Sequence, residues 1–144
     1  MADRIERQIL VKAPRAKVWQ ALTDAKQFAT WFGTEIEGEF APGASVWMIS
    51  RQAGYEGRFE IRIEEMTPEL RLSWHWHPGA PGQVADPDLR TQVLFELAEV
   101  PGGTLLTVAE SGFEAIPAHE RGPAFEGNER GWEIQLGSIK KYVE

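Results

Sequence analysis

The strongest constraint on the fold lies at the end of the chain. There Phe125, Trp132, Leu136, Ile139 and Val143 follow one another at steps of seven, four, three and four. That spacing places all five on one face of an α-helix. Gly131 stands beside Trp132, and a glycine inside a helix costs about 1 kcal/mol relative to alanine. Such a position calls for close backbone approach or for free space. A long helix with one apolar stripe also needs a surface to cover, and the rest of the chain has to supply it.

The preceding residues supply an antiparallel sheet. Arg4 to Lys12 alternates as a strand, with Ile5, Arg7, Ile9 and Val11 on one side. Pro14 opens a helix buried through Val18, Trp19 and Leu22, since proline suits the first helical position. Asp24 is the expected cap of a second short helix carrying Phe28, Trp31 and Phe32, which Gly33 stops. From Thr34 the period changes to two: Ile36, Gly38 and Phe40 lead to the turn Pro42-Gly43, and Val46 to Ser50 returns. Tyr55 to Met66 faces Phe59, Ile61 and Ile63 one way and Arg58, Glu60, Arg62 and Glu64 the other. Leu70, Leu72, Trp74 and Trp76 form the next inward set. Pro78 to Asp88 holds three prolines and two glycines, a loop long enough to suggest a role in gating. Val93 to Leu97 and Thr104 to Phe113 then pair around Val100-Pro101-Gly102-Gly103. The final helix is expected to begin at Pro123, with a separate turn over 117–121 as a further possibility. The result is an α+β fold of residues 1–144 as a single domain. A curved sheet of six to seven strands wraps one long terminal helix, with two short helices after the first strand.

At 144 residues such a domain buries enough surface to need no disulfide or metal staple. The formal charge of −7 and the lack of a Lys/Arg cluster argue against a nucleic-acid partner. No cysteine is present, which removes thiol nucleophiles and thiolate metal sites. No apolar run spans a bilayer and no signal-peptide core opens the chain, so a cytoplasmic location without membrane contact is expected. The sequence shows no G-x-S-x-G, P-loop or G-x-G-x-x-G motif, hence no paired nucleophile and base and no cofactor requirement. The aromatic inventory is heavy, with six tryptophans and seven phenylalanines.

This order of elements resembles the START-like or SRPBCC superfamily, the helix-grip fold shared with the birch-pollen allergen. Within it the chain is similar to the branch named for the C-terminal domain of the heat-shock-protein-90 ATPase activator. The matching residues are Ile9-Leu10-Val11-Lys12-Ala13-Pro14 with Val18-Trp19 and Leu22, Trp31-Phe32, Pro42-Gly43, and Gly57 with Phe59. Leu72 to Trp76, Gly102-Gly103-Thr104 before Leu106, and the tail Asn128, Gly131-Trp132, Leu136, Ile139 and Tyr142 complete the set. The resemblance implies a hydrophobic cavity between sheet and terminal helix. It carries no shared catalytic motif, because the superfamily spans carriers, cyclases and a co-chaperone domain.

In such a cavity Trp47, Phe59, Trp74, Trp76, Phe95 and Trp132 would form the lining, with Trp31 and Phe32 at the mouth and Leu136 on the helix. Each ring taken alone reads more readily as core, and the group together as cavity lining. Tyr55, Arg90, Gln92, Glu110 and Asn128 are the polar groups able to read a ligand. Glu110 is in phase with apolar Leu106 and Val108, so it is either a buried acid of raised pKa or a hydrated strand-end residue. The second reading is favoured, because carboxylates are rarely buried unpaired. His75 and His77 share a strand face and could hold a metal with Glu96, Glu110 or His119. If Trp74 and Trp76 point inward, however, the histidines lie outside or at the rim, and no metal is expected. The leading expectation is a non-catalytic protein, monomer or homodimer, holding a small apolar or aromatic ligand. A cyclase- or hydratase-like enzyme is the first rival and a module acting on a chaperone ATPase the second.

Overall fold

A computed structural model describes residues 4–51, 53–54, 56–80 and 82–144. The chain runs β1 (Ile5–Val11), α1 (Arg15–Thr23), α2 (Ala25–Phe32), β2 (Glu35–Glu37), β3 (Ser45–Ser50), β4 (Gly57–Thr67) and β5 (Arg71–Trp76). It continues through β6 (Thr91–Val100), β7 (Gly103–Ser111), a 3-10 turn at Phe113–Ala115 and α3 (Ala118–Val143). The strands form one seven-stranded sheet in the order β1-β7-β6-β5-β4-β3-β2, antiparallel at every step. This is the α+β helix-grip architecture that the alternation pattern and the terminal stripe imply.

Register explains where the core sits. Ile5 pairs with Glu110, Glu110 with Val93, Val93 with Trp74, and Trp74 with Ile63. These side chains form one inward row across five strands, since direct cross-strand partners share a face. Row and helix stripe meet: Trp132, Leu136, Ile139 and Val143 are all buried over the sheet. At roughly 1.5 Å per residue the helix's 26 residues reach about 39 Å, enough to cross the whole sheet.

The short helices seal the other side of the seam. The Asp24 carboxylate accepts from Lys26 N at 3.0 Å and Gln27 N at 3.1 Å, the expected cap. A cap of this kind contributes about 1 kcal/mol. Gly33 ends α2 at φ 82°, in the left-handed region. Trp31 donates its indole N–H to the Ala21 carbonyl at 2.7 Å and so locks α2 to α1. Gln135 on α3 donates to the Phe32 carbonyl at 3.0 Å, which ties α2 to the long helix.

Two boundaries differ from the sequence reading. α3 begins at Ala118, and Pro123 lies inside it. Proline in the second turn forgoes one hydrogen bond to the carbonyl of His119. Both residues are exposed, so that carbonyl stays on the solvent side and the loss is tolerated. The strand expected through Ile36, Gly38 and Phe40 stops at Glu37, because Gly38 takes φ 104°.

Candidate functional site

Between the end of α2, strands β3 to β5 and the middle of α3 lies a recess of about 290 Å³. Its apolar walls are Phe32, Met48, Phe59, Trp76 and Trp132. Trp76 and Trp132 stack with ring centroids 5.6 Å apart and planes 24° from parallel. From α3 come also Gly127, Asn128, Gly131 and Gln135, successive members of one helix face. A Cβ built on Gly131 meets nothing within 4 Å. The glycine beside Trp132 therefore marks free space and not a close backbone approach.

One wall of this recess is held from behind by Glu110, which is fully buried. Trp132 Nε1 and Asn128 Nδ2 donate to Oε1 at 2.9 Å each. Oε2 accepts from Trp76 Nε1 at 2.9 Å, from Asn128 Nδ2 at 2.9 Å and from Thr91 Oγ1 at 2.5 Å. The donors come from β5, β6 and α3, so one carboxyl group ties three elements together. Burial pushes the Glu110 carboxyl above its ordinary range, and the donors from Thr91, Trp76, Trp132 and Asn128 pull in the opposite direction. Hydration of Glu110, the favoured sequence reading, is thus corrected. The in-phase signal was the informative one, and burial is sustained because every lone-pair direction finds a donor. Its partners lie 18 to 34 residues away in sequence, which hid them.

Of the residues singled out in the sequence, Phe32, Phe59, Trp76, Asn128 and Trp132 line the recess. Trp31, Trp74, Phe95 and Leu136 belong to the buried core behind it. Trp74 packs edge-on to Phe28 and tilted to Phe95, and its indole nitrogen has no acceptor. Trp47 is a correction. Its neighbours Val46 and Met48 are buried, so the alternation sends Trp47 to the outer face, where the Arg58 guanidinium sits 3.9 Å over its ring. Gln92 and Arg90 are also engaged elsewhere, with Glu64 at 2.7 Å and Glu60 at 2.9 Å. Tyr55 lies outside the described residues.

His75 faces outward against Glu64 at 3.3 Å. His77 stands beyond the end of β5, at the rim of the recess, with Nε2 3.1 Å from the Asp86 carbonyl. Among the described residues no three His, Asp or Glu side chains cluster for a metal ion. Sequence reasoning missed Met48, Thr34, Gln135 and Arg130. Gln135 and Arg130 were readable as helical neighbours of Gly131, one turn on and one residue back. Gly79 lines the recess, and further along Val84 is buried and Ala85 N approaches the Glu120 carboxylate at 3.4 Å. No helix among the described residues is long and apolar enough to cross a membrane.

Comparison with known proteins places this geometry. Residues 12–144 match the family described as Activator of Hsp90 ATPase homolog 1-like protein. A search among curated proteins finds no match. A Mesorhizobium loti crystal structure is 23% identical, with TM-score 0.79 over 97% of this chain and 96% of its own. The Aha1 dimer from Colwellia psychrerythraea is 22% identical, with TM-score 0.78 over 100% of this chain and 97% of that one. DynU16, from the dynemicin biosynthetic locus, is 26% identical with TM-score 0.74, and this chain spans 48% of its length.

Proposed function

The chain belongs to the family of Activator of Hsp90 ATPase homolog 1-like proteins, and on that premise we propose that it binds a small apolar or aromatic molecule in the recess beneath α3. The observation that carries the reading is the opening beside Gly131, walled by Phe32, Phe59, Trp76 and Trp132. A concave apolar site with a few placed polar groups is the usual form of a small-molecule pocket, and about 290 Å³ lies at the small end of that class.

The role is binding without chemistry. Glu110 is the group best suited to acid or base work, yet both its oxygens are engaged and it stands behind the wall, not in it. A general acid or base must come within hydrogen-bond reach of its substrate. The loop containing Val84 would then admit the ligand, and the family's chaperone-directed role is the second reading.

Gly131→Leu tests the proposal. The leucine side chain enters free space, so the variant should melt at or above the parent temperature while losing ligand. Native mass spectrometry of freshly purified protein, followed by tryptophan fluorescence titration with bicyclic aromatics, reads the loss. Equal binding by parent and variant would place the ligand elsewhere.

A further inference from the structure

Arg130 stands apart from the other arginines of the chain. Eight of the ten pair with a glutamate carboxylate, and Arg121 donates to the Glu114 and Ile116 carbonyls. Arg130 has neither an ion pair nor a hydrogen bond among the described residues. Glu126 and Glu133, one helical turn back and one turn on, leave it unpaired, and Glu129 is taken by Arg7 at 2.8 Å. A guanidinium is always charged and can only donate, so this one offers its whole fork to a partner from outside.

Arg130 lines the recess, on its exposed side. The chain carries 22 acidic residues against 15 basic ones, yet no Asp or Glu is among the lining residues. Glu110 stands behind Trp76 and Trp132, fully buried, with both oxygens already held by donors. Ile134, one turn beyond Arg130, lines the same recess and is 61% exposed, more than any other large apolar side chain described. The amides of Asn128 and Gln135 each keep a second N–H beyond those given to Glu110 and the Phe32 carbonyl. We infer that the ligand is an aromatic carboxylate, its ring against Trp76 and Trp132 and its anionic end paired with Arg130 at the mouth. The inference rests on the binding role proposed above and adds a charge to it. A carboxylate matches the guanidinium fork in shape, and a ring passing inward covers Ile134. A net charge of −7 repels anions from the surface at large, so their capture needs a local cation with no carboxylate beside it in the site.

Isothermal titration at neutral pH with 2-naphthoate, 2-naphthamide and 2-naphthylmethylamine tests this, since the ring is shared and the substituent is anionic, neutral or cationic. 2-Naphthoate should bind about fivefold more tightly than the amide, the scale of a partly exposed ion pair, and the amine should bind most weakly. Salt at about 1 M should shrink the preference, because the screening length then falls to about 3 Å. Arg130→Gln should abolish it and Arg130→Lys should keep part of it. Both variants should melt with the parent, since the side chain is exposed and unpaired. Equal affinity of the parent for 2-naphthoate and 2-naphthamide would overturn the anionic requirement and leave the binding role standing. A preference that survived Arg130→Gln would place the anion away from Arg130 and overturn the inference. If no probe bound at all, both the binding role and this inference would fall together.

Discussion

Two buried tryptophans, Trp132 and Trp74, should respond differently to the same substitution. Trp132→Phe removes an indole donor from a buried carboxyl, and hydrogen bonds to charged groups contribute about 1.5–3 kcal/mol. Trp74→Phe removes a buried N–H that has no acceptor, so its cost is confined to lost packing. Denaturant titration should place Trp132→Phe about 2 kcal/mol below the parent and Trp74→Phe within about 1 kcal/mol of it. Glu110 adds a pH dependence of definite sign. A carboxyl whose pKa is raised on folding holds its proton more tightly in the native state. Stability is then full below the ordinary glutamate range and falls as pH climbs from there through the raised value. Glu60, held low first by Ser45, and Glu144, held low first by the Lys12 amide, work in reverse, losing stability as pH falls. Subtracting Glu110→Gln melting curves from those of the parent isolates the first effect. A difference that grew with pH would show that the four donors outweigh burial. The phase of Glu110 was legible in sequence, because Leu106 and Val108 flank it at a period of two. Its partners were not, since nothing local to residues 104–111 signals that Trp76, Thr91 and Trp132 converge there.

α3 shows how an element can be legible in its interior and obscure at its edge. The buried stripe from Phe125 to Val143 follows the helical period, and all five expected residues are buried. The start was misplaced because proline is favoured at a first turn, whereas here it stands on a solvent-facing side where one missing hydrogen bond is tolerated. Trp47 was misplaced for a related reason. Its aromatic character suggested the interior, while the β3 alternation of Val46 and Met48 required the outside. At this scale Gly131→Ala should stabilise the helix by up to about 1 kcal/mol, because the added methyl meets no atom within 4 Å and glycine's entropic handicap disappears. Thermal melting checks it, and a loss of stability would mean that the free space is not free. The segment 82–88 is pinned through buried Val84. Val84→Ser should raise hydrogen exchange across residues 78–88 and speed ligand dissociation, with the far strands unaffected.

At the scale of the whole molecule the closing of the sheet is the demanding step. β1 pairs with β7, Ile5 against Glu110, so the first strand meets its partner only after nearly all of the intervening chain is made. Non-local antiparallel pairing slows folding, and refolding should occupy milliseconds to seconds in stopped-flow mixing, with tryptophan fluorescence recovered in the slowest phase. Deleting β1 should remove cooperative unfolding altogether, since it uncovers one edge of Glu110's row. The stacked pair of Trp76 and Trp132 gives the molecule one more property. Two indoles 5.6 Å apart and 24° from parallel are close enough for their excited states to couple and split into a paired positive and negative band in circular dichroism. That optical couplet exists only while β5 and α3 are docked around a shared carboxyl. A ligand wedged against the rings, or a helix rotated by a few degrees, would alter its sign or amplitude, so the protein carries its own internal gauge of how its halves are seated.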